Sequence, residues 1–175
     1  SPYQLEQAGK VRHFGVSNQN PMMMELLKTA VKQPLKVNQL QLSAAFTPSF
    51  EAGFHVNMEG PKAAVRDGSV FEYCRLTDTV IQGWSVLQHG YFKGNFVGKE
   101  EFAALNHVLT DLAKKYQVTP TAIALAWVLR YPGKMQAVIG TTKPQHVLEA
   151  GKAATVTLTR KEWYQIYLAA GNDLP

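Results

Sequence analysis

Short polar side chains follow a run of β-branched and aromatic residues near the start of the chain. The run Val11–Val16 ends at a Val and is followed directly by Ser17 and Asn18. Such a run predicts a buried parallel strand, and ligands of α/β proteins bind at the carboxyl ends of parallel strands. Hydroxyl and amide groups suit a neutral amide or carbonyl better than a phosphate or a metal ion. The alternative is that the two residues only cap the next helix.

Three more predicted strands place polar, aromatic or glycine residues at their carboxyl ends. These residues are, in chain order, Asn38 and Gln39 in Leu35–Leu42, Trp84 and Ser85 in Val80–Val86, and Gly140 and Thr142 after Met135–Ile139. A single strand Gln or Trp is ordinarily a core residue. The same placement on all four strands favours a binding site at one edge of a sheet.

The types of these residues indicate the chemistry of a ligand. Ser17, Asn18 and Gln39 can hydrogen-bond a carboxamide. Trp84 offers a flat apolar face for a heteroaromatic ring. The turn 140–142 precedes a predicted helix, whose first N–H groups and dipole favour phosphate. An amide, an aromatic ring and a phosphate together describe a nicotinamide dinucleotide.

Predicted helices alternate with these strands, a pattern typical of a parallel sheet with helical crossovers. They comprise a helix tail at Leu5–Gly9, helices beginning near Pro21, Pro120 and Pro144, the helix Glu100–Tyr116, and a last helix opened by a capping box from Thr159 to Glu162. The Pro120 helix is apolar almost all round and is expected to be buried. Residues 47–79 are predicted to form a long irregular excursion.

Four βα units are half the number in a closed (β/α)8 barrel, which needs eight units and about 250 residues. Neither a G-x-G-x-x-G turn nor a P-loop occurs in the sequence. The missing initiator Met and the start inside a predicted helix favour a truncated fragment. We therefore expect an α/β chain in which residues 1–175 form one domain, a half barrel.

Composition favours some classes of partner over others. The net charge is +5, but the Lys and Arg residues are scattered and accompany no nucleic-acid-binding motif, so no nucleic acid is expected. No apolar run approaches the roughly 18 residues of a membrane span. The lone Cys74 and the absence of a signal-peptide pattern favour a cytoplasmic location. A mildly basic surface can favour a phosphorylated cofactor.

Five stretches make the chain resemble an aldo-keto reductase, of the bacterial branch with a long insertion after the sixth barrel strand. The stretches are Gly9–Asn18, Val37–Leu40, Ile81–Leu87, Ile139–Pro144 and Leu158–Pro175. The resemblance implies that the predicted strands are strands five to eight of a (β/α)8 TIM barrel. It also implies an oxidoreductase that reduces small-molecule aldehydes or ketones with NAD(P)H.

The resemblance assigns cofactor contacts residue by residue. They are Ser17, Asn18 and Gln39 for the carboxamide, Trp84 for the nicotinamide ring, Ser85 and Leu87 for the pyrophosphate, Gly140 and Thr142 for the adenosine phosphate, and His146 and Glu149 on the following helix. His146 stands where many members have Arg, and a neutral His holds a 2′-phosphate less firmly. NADP is the implied cofactor, and NAD stays open.

The family's catalytic Asp, Tyr, Lys and His belong to the first four βα units. The resemblance thus implies that this chain carries no catalytic residue and is inactive alone. Two alternatives remain. One is a non-catalytic module that binds a nucleotide or a partner, and the other is a structural half-barrel that self-associates through its open strand edges.

Overall fold

Four strands and seven α-helices alternate through the described part of the chain. The computed structural model describes residues 2–49, 51, 69–90 and 93–174. The strands are β1 (Phe14–Ser17), β2 (Leu35–Gln41), β3 (Val80–Trp84) and β4 (Met135–Ala137). The helices are α1 (Pro2–Gln7), α2 (Pro21–Ala30), α3 (Val70–Leu76), α4 (Ala103–Tyr116), α5 (Pro120–Leu129), α6 (Pro144–Gly151) and α7 (Arg160–Ala169). Short 3₁₀ turns at Glu100–Phe102 and Lys152–Thr155 precede α4 and follow α6.

The strands form one parallel sheet in the order β1-β2-β3-β4, which confirms the predicted arrangement. The register places Ser17 opposite Gln39, Gln39 opposite Gln82, and Gln82 opposite Gln136. Because side chains at one register level of a parallel sheet point to the same face, these four share a row.

The sheet buries one face much more than the other. Asn38, Leu40 and Ile81 are buried on the face that meets the helices. Ser17 and Gln136, on the other face, are exposed, and Gln39 and Gln82 are half-buried. We call the side of the sheet that carries the row Ser17–Gln39–Gln82–Gln136 the open face.

The core lies on the helical side. Helix α5 is buried at seven of its ten positions, as its apolar sequence predicts. Thr119 caps it by accepting a hydrogen bond from the Ala122 N–H at 3.2 Å. The capping box predicted between Thr159 and Glu162 is also confirmed, with both reciprocal hydrogen bonds present at the start of α7.

Strand bounds differ from the prediction where local hydrogen bonds intervene. Strand β1 begins at Phe14 rather than Val11, because the N–H groups of Lys10 and Val11 still bond to the Leu5 carbonyl at 3.0 and 3.4 Å. Strand β3 ends at Trp84, since Ser85 adopts a left-handed conformation, with φ of 51°, that turns the chain.

The predicted irregular excursion at 47–79 is wrong for α3. Phe71 and Cys74, three residues apart, are fully buried and dock this short helix on the core. The Phe71 ring meets Tyr131 edge-on at 4.8 Å. Ser69 supplies no side-chain cap, so the sequence carries no start signal for α3. Residues 52–68 of the excursion lie outside the described residues.

No helix among the described residues combines the length and the apolar character that crossing a bilayer requires.

Candidate functional site

The turn after β1 brings Ser17 and Asn18 against the neighbouring strands. The Ser17 hydroxyl donates to the Gln39 carbonyl at 3.0 Å, and the Asn18 N–H donates to the same oxygen at 2.9 Å. Asn18 has a φ of 53°, a left-handed conformation that Asn tolerates well. Its Oδ1 accepts a 3.4 Å hydrogen bond from Trp84 Nε1 on β3. Ser17, Asn18, Gln39 and Trp84 are therefore linked across three strands.

Neither Ser17 nor Asn18 caps the next helix, the alternative considered for them. The N-cap of α2 is Asn20, whose Oδ1 accepts from the Met23 N–H at 2.9 Å. The side chains of Ser17 and Asn18 instead bond to the neighbouring strands, to the Gln39 carbonyl and to Trp84.

A ladder of amides continues from Gln39 along the open face. Gln39 Nε2 donates to Gln82 Oε1 at 3.2 Å, and Gln82 Nε2 donates to Gln136 Oε1 at 2.8 Å. The sequence did not single out Gln82 or Gln136. Their alignment depends on the pairing of strands that are 43 and 54 residues apart along the chain.

A cleft of about 470 Å³ opens between the carboxyl ends of β3 and β4 and the start of α6. Six of the predicted cofactor residues line it: Trp84, Ser85, Leu87, Gly140, His146 and Glu149. Thr141, rather than the predicted Thr142, forms the wall at the turn. Ser17 and Gln39 line a second cavity of about 290 Å³ at the open face, and Trp84 of the cleft wall is hydrogen-bonded to Asn18, the residue after Ser17.

Thr141 also organises the turn before α6. Its Oγ1 accepts from the Lys143 N–H at 3.2 Å and lies 3.4 Å from His146 Nδ1. The N–H groups of His146 and Val147 bond to the Lys143 carbonyl at 3.0 and 3.3 Å. Several donors of this turn are therefore already used, so the charge that it offers an anion comes chiefly from the exposed Lys143 side chain and the helix dipole.

Asn38 was grouped with Gln39 at the predicted site edge, and that grouping is wrong. Successive strand residues face opposite ways, so Asn38 points to the helical side, where it is fully buried. Its Nδ2 donates to the Gln19 carbonyl at 2.8 Å, which anchors the loop after β1 from behind. Strict alternation along Leu35–Gln41 is the signal that would have separated the two residues.

Gln88 is a cleft residue that the sequence analysis did not assign. Its Oε1 is buried in the cleft wall without a hydrogen-bond partner among the described residues. Its own carbonyl accepts a hydrogen bond from the Ser43 hydroxyl at 2.5 Å, which holds the loop in place. An acceptor left unpaired in a cavity wall fits a ligand that brings a donor.

Cys74 and the possible metal ligands are the other reactive groups of the described residues. Burial raises the pKa of the Cys74 thiol to about 11, against a smaller opposing effect of its hydrogen bond with Asn38. The thiol is therefore protonated at neutral pH and a poor nucleophile. Within the described ranges, no three His, Cys, Asp or Glu side chains are grouped so that they could hold a metal ion.

Comparison with known families agrees with this geometry. The aldo/keto reductase family model matches residues 3–169. The chain belongs to the aldo/keto reductase family. It is 32% identical over 172 residues to a 6-dehydroglucose reductase of Agrobacterium fabrum, a match that covers 97% of this chain and 50% of the relative. The chain spans about half the length of the curated relatives it matches.

Solved structures show the same fold. The thermostable aldo-keto reductase Tm1743, in complex with the inhibitor epalrestat, aligns with a TM-score of 0.69 at 20% identity, over 96% of this chain and 52% of that one. A Gox0644 mutant in complex with NADPH aligns with a TM-score of 0.64 at 19% identity, over 96% and 50%. These neighbours are (β/α)8 barrels, and the four βα units here cover about half of each.

Proposed function

We propose that this chain is the cofactor-binding half of an aldo/keto reductase that reduces small aldehydes or ketones with NADP(H). One observation carries the proposal. Trp84 lies in the wall of the large cleft and is hydrogen-bonded to Asn18, the residue that follows Ser17 of the second cavity, which supports treating the two cavities as one site. The cavity at Ser17 and Gln39 suits a nicotinamide carboxamide, and the large cleft suits the rest of a dinucleotide.

The described residues fit a dinucleotide in size and chemistry. A volume of about 470 Å³ lies within the range of roughly 300–1,000 Å³ found for small-molecule sites. The unpaired Gln88 Oε1 can accept from a ribose hydroxyl or an adenine amine. Lys143 at the entrance to α6 supplies a positive charge near the position proposed for the adenosine phosphate. A 2′-phosphate would use that charge, which favours NADP over NAD.

Each side chain has a defined part in the proposed mechanism. Ser17, Asn18 and Gln39 hold the carboxamide, and the Trp84 ring stacks on the nicotinamide and fixes its plane. A nicotinamide cofactor supplies a hydride when it is bound. Holding the ring in one orientation lowers the entropic part of the barrier to transfer. The proton that a reduced carbonyl also needs comes, in this proposal, from catalytic residues on the four βα units that this chain does not contain.

Cofactor affinity tests the binding half of the proposal. Replacing Trp84 with Ala should weaken NADP binding by about 1–3 kcal/mol, since one aromatic stacking contact is lost. Isothermal titration calorimetry measures the dissociation constant of each variant, and the quenching of intrinsic fluorescence that NADP causes in the wild-type chain should disappear with Trp84. Tyr3→Ala, which removes an exposed aromatic from α1, is the matched control and should leave the affinity unchanged. Equal affinities for the wild-type chain and Trp84→Ala would show that Trp84 only packs.

Turnover tests the catalytic half. The chain alone should give no measurable oxidation of NADPH, followed by absorbance, with a panel of simple aldehydes. General acid catalysis contributes roughly 10²–10⁴-fold, and an unoriented carbonyl loses more. Adding the four amino-terminal βα units of a family barrel, in cis or as a second chain, should produce turnover. Robust turnover by the chain alone would contradict the proposal, and binding without turnover in the completed barrel would favour a non-catalytic module.

A further inference from the structure

The amide ladder on the open face has a direction. Gln39 gives an N–H to Gln82, and Gln82 gives an N–H to Gln136, at 3.2 and 2.8 Å. An amide side chain has one accepting end and one donating end. Reversing the middle amide would therefore set N–H against N–H on one side and oxygen against oxygen on the other. The three glutamines share one orientation, and changing one of them changes its neighbours.

This direction determines which end of Gln39 is available to a ligand. One N–H of its Nε2 is directed to Gln82, which turns the amide so that its Oε1 lies on the other side and can accept from a ligand. Asn18 is set the opposite way, because its Oδ1 already accepts from Trp84 Nε1 and its Nδ2 is left to donate. One acceptor and one donor side by side match a primary carboxamide, which offers an N–H₂ and a carbonyl oxygen. They do not match a carboxylate, which only accepts.

We propose that Gln82, oriented in turn by Gln136, is a positioning residue that fixes the amide of Gln39 so that Oε1 receives the N–H of the nicotinamide carboxamide. The inference rests on the proposed function, since it needs a nicotinamide at Ser17 and Gln39. Gln82 and Gln136 act through Gln39. Without them, an amide in a half-exposed position could turn over and offer either end.

The ladder contributes little to stability. Gln136 is exposed and Gln82 is half-buried, so water competes for both amides. Hydrogen bonds that water can replace contribute little net stability. In this chain on its own, the ladder is therefore a minor contributor to folding, and its single direction fits a part in recognition.

The test compares two cofactors on the full chain: NADP and its 3-acetylpyridine analogue, in which a methyl ketone replaces the carboxamide. The analogue has no N–H to give to Gln39. The ratio of the two dissociation constants, measured by fluorescence titration, reports the orientation of Gln39. The wild-type chain should prefer NADP by about five- to tenfold, the value of one hydrogen bond.

Two substitutions at Gln82 separate orientation from packing. Gln82→Lys provides donors only, so Gln39 must turn its Oε1 toward the lysine. The preference for NADP should then disappear, with a ratio of the two dissociation constants of about one. The added charge acts on both cofactors alike and cancels in the ratio. Gln82→Glu still accepts from Gln39 and should keep the preference. A purely structural role would alter both affinities together and leave the ratio alone.

Substitutions at Gln136 test the relay itself and do not depend on how the chain tolerates a change at Gln82. Gln136→Lys reverses Gln82, and through it Gln39, so the preference should fall, whereas Gln136→Glu should keep it. In Gln82→Met the connection is cut, and adding Gln136→Lys should then change nothing.

An unchanged ratio in both lysine variants, or a wild-type chain that binds the two cofactors equally, overturns the inference and leaves the proposed function standing. If the wild-type chain binds neither cofactor, the proposed function fails and the inference fails with it.

Discussion

The helical side and the open face of the sheet satisfy their polar groups in different ways. On the helical side, Trp127 Nε1 donates to the Trp163 carbonyl and Trp163 Nε1 donates to the Trp127 carbonyl, both at 3.0 Å. The two rings stack at 4.8 Å with an angle of 9° between their planes. The polar groups of this pair are satisfied inside the core. The amides of the open face bond to one another within reach of solvent and keep ends available for a ligand.

In the proposed function, the core and the carboxamide contacts of Ser17 and Gln39 therefore lie on opposite sides of one sheet. Substitutions on the helical side should therefore lower the free energy of unfolding strongly, and substitutions on the open face should lower it only slightly. Three substitutions test this division, in descending order of their expected effect on the free energy of unfolding.

Trp163→Ala should have the largest effect. It removes a ring that stacks on both Trp127 and Tyr167. It also removes the Nε1–H that donates to the Trp127 carbonyl. The loss should be about 3–5 kcal/mol in the free energy of unfolding, the usual range for a buried Trp truncated to Ala. Urea unfolding followed by circular dichroism measures it, with Trp163→Phe as the control that keeps a ring. A loss below about 1 kcal/mol would break the comparison.

Glu162 is a buried charged residue on the helical side whose polar atoms, like those of the tryptophan pair, are hydrogen-bonded within the protein. Its carboxylate accepts from the Thr159 N–H at 2.7 Å, from the Tyr116 hydroxyl at 2.8 Å and from Lys115 at 2.5 Å. Burial raises the pKa of this carboxyl, but the hydrogen bonds together outweigh burial and lower the pKa from 4.5 to about 2. The charged form is therefore the one that the folded state stabilises.

Glu162→Gln should cost about 2 kcal/mol at pH 7, because it removes a cap and charge-assisted hydrogen bonds. A carboxyl whose pKa is lowered by folding stabilises fully above its ordinary value of 4.5, and the contribution is lost as the pH falls toward 2. Urea unfolding at pH 7, 4 and 2.5 should show the difference between wild type and variant shrinking. The exposed Glu101→Gln is the control and should show no such trend. A difference independent of pH would contradict the assigned role of the charge.

Gln136→Met should have the smallest effect on stability, within about 0.5 kcal/mol, because the amide is exposed. The same urea measurement, paired with the preference for NADP over the acetylpyridine analogue, sharpens the contrast between the two sides. A loss above about 1 kcal/mol would mean that the open face contributes to folding after all.

The fold was largely predictable because its signals are local. The apolar run at Ala122–Leu129, the Thr159–Glu162 box and the alternation of strands with helices each reside in one short stretch, and all three are confirmed. Helix α3 was missed because seven residues without a cap carry too little periodicity. It forms because Phe71 and Cys74 find a core built from distant parts of the chain.

The candidate site was predictable where strand ends define it and unpredictable where register defines it. Trp84, Gly140 and their neighbours follow from the rule that parallel strands present ligands at their carboxyl ends. The ladder through Gln82 and Gln136 needs the pairing of three strands at one level, which no local pattern contains. Gln88 needs the shape of the cleft wall for the same reason.

The buried thiol of Cys74 allows local opening of the helical side to be measured by thiol labelling. It is the single cysteine of the sequence and lies on the buried side of α3, with its pKa raised to about 11. A thiol reagent can reach it only when α3 lifts away, so the labelling rate measures how often that segment opens. Slow labelling that follows the global unfolding rate would place α3 in the main cooperative unit, and faster labelling would define it as a separately opening segment.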